Sequence, residues 1–300
     1  MHFRSQKWLA LVLFISALTG CSTPSLVPSQ ESLLTLSQEE GFYANFSELN
    51  IKGATVTDLQ LVDFDENSHA TVAILAMPME GFDSMYNPVL VIWFSTGKLI
   101  KQELFDTAMA KETDLGVWAW DKGLIQYCDI DGDGYPEIIT TTAIHGTSGQ
   151  EIYRRIFKVE NGELKTLLKI DDENAFDFGF RGEVLNKTEI KVTNIFTGYN
   201  RIINYEPEDI SLYESTKEEG MSAGLPSFFI PRDVDNDGIY DEFEVVQYTN
   251  LYGSNGFTGW ACSVLKFNRS KQSFEVTQSQ FFTEKESEKI NFENGWTEVS

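Results

Sequence analysis

The chain has 300 residues with 46 acidic against 23 basic side chains, a formal charge of −23 at neutral pH. That excess argues against partners held through clustered Lys and Arg, so nucleic acid and anionic lipid headgroups are excluded as expected ligands. Hydrophobic residues make up 42% and aromatics 13% of the chain, too much apolar material for disorder, and three histidines are too few for a His-rich zinc site.

In chain order the first element is residues 1–20. Arg4 and Lys7 precede an apolar run from Trp8 to Leu18, which is 11 residues and too short to span a bilayer, so the segment reads as a secretory signal. It ends in Leu18-Thr19-Gly20-Cys21, which resembles the bacterial lipobox. The resemblance implies cleavage before Cys21, acylation of that cysteine and residence in the bacterial cell envelope. The membrane is then a partner through lipid, facing the periplasm or the cell surface, because two or more acyl chains anchor a soluble domain stably. Loss of the two basic residues in 1–20 would take the net charge from −23 to −25. Residues 21–40 are polar, contain Pro24 and Pro28, and read as a tether.

Residues 41–300 are expected to form one β-repeat domain of about four units. A weak unit starts at Asp63-Phe64-Asp65-Glu66-Asn67-Ser68, followed by the strand-like Thr71 to Ala76 and Leu90 to Phe94 and the turn Ser95-Thr96-Gly97. The second starts at Asp129-Ile130-Asp131-Gly132-Asp133-Gly134-Tyr135-Pro136-Glu137. Strand-like Ile138 to Thr142, a glycine turn at 146–149, Tyr153 to Val159 and the turn Glu160-Asn161-Gly162 follow. A unit lacking a loop is placed around Phe176 to Tyr213, where Glu189 to Phe196 alternates like a strand. The last unit starts at Asp233 with Asp235, Asp237, Gly238 and Asp241. It continues through Phe243 to Tyr248, a glycine turn at 253–256 and Ala261 to Phe267. Runs rich in β-branched and aromatic residues, bounded by glycine turns, predict an all-β fold of repeated antiparallel β-meander units.

The two full loops share the spacing acid-x-acid-x-acid-Gly-x-x-acid. Carboxylates converging from alternate positions make an oxygen cage suited to calcium, which accepts six to eight oxygens in a tolerant geometry, and Ca2+ is the expected cofactor. Gly134 and Gly238 permit the positive φ of the sharp turn. The first loop of the three is degraded, with Ser68 in place of glycine and Thr71 in place of the last acid. A rival reading is the EF-hand, since Asp233, Asp235, Asp237, Gly238 and Glu244 fit its string. Its flanks disagree: Pro226 and Pro231 stand where an entering helix belongs, and the loop at Asp129 has Thr140 in the bidentate position. The loops resemble instead the calcium-binding FG-GAP/VCBS-type repeats of integrin-like β-propellers. The resemblance implies a β-propeller-like arrangement, with too few units here for a seven-bladed ring. It implies side-chain ligands from Asp129, Asp131, Asp133 and Glu137, and from Asp233, Asp235, Asp237 and Asp241, with the carbonyls of Tyr135 and Ile239 completing each cage.

Catalytic constellations are thin. His145 near Ser148 has no nucleophile-elbow context, and a glycine turn accounts for those residues. Two function classes follow: a calcium-stabilised module binding protein or glycan, and a calcium-dependent hydrolase on the same scaffold. Trp118, Trp120, Tyr252, Phe257 and Trp260 fall in or near turns and are available either to the core or to a contact surface. Cys128 and Cys262 can pair in an exported compartment or stay as buried thiols.

Overall fold

The computed structural model describes residues 55–65, 69–78, 86–104, 118–119, 124–146, 149–170, 176–204, 220–251, 257–290 and 296. The signal segment, Cys21, the tether, Trp120, Ser148 and Tyr252 lie outside the described residues. Among the described residues the fold is all-β, built from antiparallel meanders, and its helical content is a short 3-10 segment at Glu284–Lys289. No helix among them is long and apolar enough to cross a membrane.

The first meander runs β1 (Thr55–Asp63), β2 (His69–Pro78), β3 (Tyr86–Phe94) and β4 (Leu99–Glu103). In the second, β5 (Trp118–Ala119) and β6 (Leu124–Cys128) pair with opposite ends of β7 (Glu137–Gly146), which continues to β8 (Gly149–Glu160) and β9 (Glu163–Ile170). The third comprises β10 (Phe180–Asn186), β11 (Glu189–Asn194) and β12 (Asn200–Asn204). The fourth comprises β13 (Met221–Arg232), β14 (Glu242–Leu251), β15 (Phe257–Asn268) and β16 (Ser273–Thr283).

Each acidic loop joins two successive antiparallel strands, the degraded one β1 to β2 and the full ones β6 to β7 and β13 to β14. The strands ahead of the loops, β6 and β13, were not foreseen, and the prolines explain why β13 is illegible. Pro226 lacks a ladder donor, and the β13–β14 register shifts on both sides of it. The strand expected from Glu189 to Phe196 ends at Asn194. There the Asn194 side chain accepts the N–H groups of Phe196 at 3.0 Å and Thr197 at 3.2 Å, turning the chain and leaving Ile195 and Phe196 exposed.

The third unit is not a separate blade. Its β10 joins β13 through the Gly182–Met221 pair, merging it with the fourth meander in one seven-stranded sheet. It spans from β13 to β16, where Arg201 donates to the Phe281 carbonyl at 2.9 Å. Phe180, Val184, Ile190 and Val192 there pack on Ala261 and Phe281 of the fourth meander.

The second meander is buried on both faces. Ile138 and Phe157 face the first meander, packing with Val72, Ile74, Leu90 and Ile92. Their neighbours Ile139 and Ile156 face the fourth, packing with Phe243, Val245, Leu265 and Phe267. Successive residues of a strand point to opposite faces, so the adjacent apolar pairs Ile138-Ile139 and Ile156-Phe157 are what a sheet covered on both sides requires.

Two adjacent buried arginines on β8 follow the same alternation. Arg154 donates to the Pro226 carbonyl at 2.6 Å and lies with its guanidinium 5.7 Å from the centre of the Phe229 ring, while Arg155 donates to the Glu103 carbonyl at 2.7 Å. Each sheet neighbour is thus tied to the second meander by a charged donor on backbone acceptors. Burial pushes the pKa of Arg154 down to about 9, which still leaves it charged at neutral pH.

Cys262 is a free thiol buried in the cluster with Val246, Phe282 and Trp296, whereas Cys128, in the core between the second and fourth meanders, is disulfide-bonded but not to Cys262. Trp260 also joins the packing, edge-on to Tyr248 at 5.7 Å. The side chains of Trp118 and Phe257 lie outside the described residues.

Replacing Arg154 by Ala removes the charged donor from a buried carbonyl and opens a void between meanders. The expected loss is at least about 2 kcal/mol in urea unfolding, against no more than about 0.5 kcal/mol for the exposed Lys187→Ala.

Candidate metal centre

The loops at Asp129 and Asp233 fold alike because their own side chains organise their backbones. Asp129 accepts Gly132 N–H at 2.7 Å through Oδ1 and Gly134 N–H at 2.9 Å through Oδ2. Asp233 accepts Asp237 N–H and Gly238 N–H, both at 3.0 Å. Tyr135 N–H then reaches Asp133, and Ile239 N–H reaches Asp237, at 2.9 Å each. Gly134 and Gly238 both have φ +87, a left-handed conformation that a Cβ disfavours. The fourth position of each loop is left-handed as well, filled by Gly132 at φ +75 and Asn236 at φ 58. Asparagine tolerates that region, but the first loop has a further constraint. A Cβ at Gly132 would lie 2.8 Å from the guanidinium carbon of Arg269, which reaches over from the β15–β16 turn.

The structure brings carboxylate oxygens of Asp129, Asp131 and Glu137 within 4.8 Å of one another, and does the same for Asp233, Asp235 and Asp237. Either group could hold a metal ion. Asp133 and Asp241 fall outside these triads, each beside a lysine: Asp133 lies 2.6 Å from Lys158 and Asp241 3.6 Å from Lys266. For Tyr135 and Ile239 the structure shows the N–H bonds given above.

The two loops are neighbours in space although 104 residues separate Asp129 from Asp233. Tyr240 N–H donates to the Asp129 carbonyl at 2.8 Å, joining one loop to the other. The degraded loop differs: Asp63 pairs with His69 at 2.5 Å, and no third acidic cluster of this kind occurs among the described residues. The EF-hand reading does not hold, because strands β13 and β14 flank the second loop and Glu244 is buried, accepting Trp296 N–H at 2.9 Å.

Sequence reasoning missed Lys158. It stands on β8 one residue beyond the Ile138–Phe157 pair, opposite the end of the first loop, and its ammonium pairs with Asp131 and Asp133 and lies 3.9 Å from Glu137. A lysine flanked by the apolar Phe157 and Val159 was the available signal. Burial opposes its charge, yet the hydrogen bonds to Asp131 and Asp133 outweigh that and push its pKa up. Glu137, 1% exposed, accepts Ile130 N–H at 2.7 Å. Burial, reinforced by Asp131 and Asp133 and opposed by the Ile130 bond and Lys158, raises its pKa to about 8.

A carboxyl whose folded pKa exceeds its unfolded value holds its proton better in the folded state. Its contribution is therefore fully present below the unfolded pKa of 4.5 and is lost as pH rises to about 8. In chelator, stability is expected to decline across that window, and Glu137→Gln is expected to flatten the decline, read by urea unfolding at stepped pH.

No family model matches the chain, and no curated protein matches it. Among solved structures it aligns with the crystal structure of a mutant B. subtilis levansucrase at 8% identity and TM-score 0.25, covering 85% of this chain and 92% of that one. A likeness of that degree carries no argument about fold or activity.

Proposed function

We propose that this protein is an exported bacterial lipoprotein, anchored through Cys21, whose β-repeat domain is stabilised by calcium and serves as a binding module for a protein or glycan. One observation carries the reading: two acidic triads on like-folded loops, each between two successive antiparallel strands, side by side at the seam of the second and fourth meanders. All-oxygen donor sets of this kind suit a hard divalent cation, and the tolerance of calcium for irregular geometry favours it over magnesium. A cation there neutralises carboxylates that otherwise repel one another across the seam, so binding and folding are coupled. The ligand is to be sought with a glycan array and protein capture on calcium-loaded protein, with a hydrolase screen alongside.

A ligand at a hundredfold excess over its Kd stabilises the folded state by about 2.7 kcal/mol, equivalent to about 5–10 °C in a domain of this size. Calcium is expected to raise the Tm by that order over chelator and to exceed magnesium in doing so. Identical melting curves in chelator and millimolar calcium would reject the calcium reading. For the anchor, Cys21→Ser is expected to release the protein from the membrane or leave it unprocessed, with intact mass of the wild type showing a chain that begins at acylated Cys21.

A further inference from the structure

The two loops share a backbone but not an electrostatic state. In the first, the Lys158 side chain is 13% exposed, with its ammonium bonded to Asp131, 2.6 Å from Asp133 and 3.9 Å from Glu137. Two of its three carboxylate neighbours belong to the triad that would hold a metal ion, and those side chains are only 7% and 2% exposed. In the second loop, Lys266 stays at the rim, 47% exposed, 2.8 Å from Glu242 and 3.6 Å from Asp241. Among the described residues, no Lys or Arg pairs with Asp233, Asp235 or Asp237.

We propose that Lys158 is the resident cation of the first loop, so that calcium acts chiefly on the second loop and enters the first only by displacing the ammonium. This deepens the calcium reading above and rests on it. Ammonium and calcium seek the same oxygens and repel each other, so occupancy is competitive. Lysine suits the role because its flexible stem carries a compact charge that can both sit in the cage and swing away. The first loop is then held folded in low calcium, keeping the Asp129 carbonyl positioned for Tyr240 N–H. The second loop, which supplies that N–H, is the part that responds to calcium.

The test is calorimetric calcium titration of the full mature chain, paired with melting in chelator. Wild type is expected to show one tight site and one at least about tenfold weaker, a gap of about 1.4 kcal/mol. Asp235→Ala should abolish the tight site and most of the chelator sensitivity. Adding Lys158→Met to Asp235→Ala should strengthen the remaining site by about tenfold or more, whereas Lys158→Arg, which keeps the charge, should not. In chelator, Lys158→Met alone should melt below wild type and recover with calcium; if it folds only with calcium present, that result supports the proposal equally. Two equal sites in wild type, or unchanged affinity on adding Lys158→Met, would overturn the assignment of Lys158 while leaving the calcium reading standing. Should no variant bind calcium, the calcium reading fails, and this inference fails with it.

Discussion

Burial of both faces of the second meander is the constraint from which the rest of this architecture follows. Ile138 and Phe157 serve one interface while Ile139 and Ile156 serve the other. A strand in that situation cannot alternate apolar with polar residues as a half-exposed strand does. Its polar exceptions must carry their own partners inward, and Arg154 and Arg155 do so by donating to carbonyls of opposite neighbours. Stacking the fourth meander on the second also sets the acidic loops side by side, closed by the bond from Tyr240 to Asp129 and roofed by Arg269 over Gly132.

Electrostatics is the second theme. A chain with a net charge of −23 that concentrates carboxylates at an interface must neutralise them there or lose stability to self-repulsion. The molecule draws on several cations at the seam, each at a different depth: Lys158 inside the first loop, Lys266 at the rim of the second and Arg269 between them. Burial leaves Glu137 and Asp241 less acidic than usual, because desolvation penalises their charge more than the nearby cations favour it. The same loop backbone therefore presents two different fields to an incoming ion.

What the sequence by itself determined is local. Acid-x-acid-x-acid-Gly fixes where carboxylates fall along a tight loop, and the left-handed Gly134 and Gly238 are a backbone requirement that neighbouring residues suffice to reveal. The β-branched and aromatic segments at Ile138 and Phe243 likewise announce strands, whereas the sheets they join number three among the described residues, because the third unit shares a sheet with the fourth. Only the tertiary structure decided the rest, since each remaining feature depends on a partner far along the chain. Lys158 enters the first loop because of hairpin register, and Cys262 and Cys128 fall in different cores, so they do not pair with each other. The proline-bearing β13 becomes a strand because β14 pairs around its bulges. The third unit merges with the fourth because its apolar face finds Ala261 and Phe281, and no pattern within 176–213 could say which surface would cover it. Periodicity states that a face must be buried; the packing partner is chosen by the whole chain.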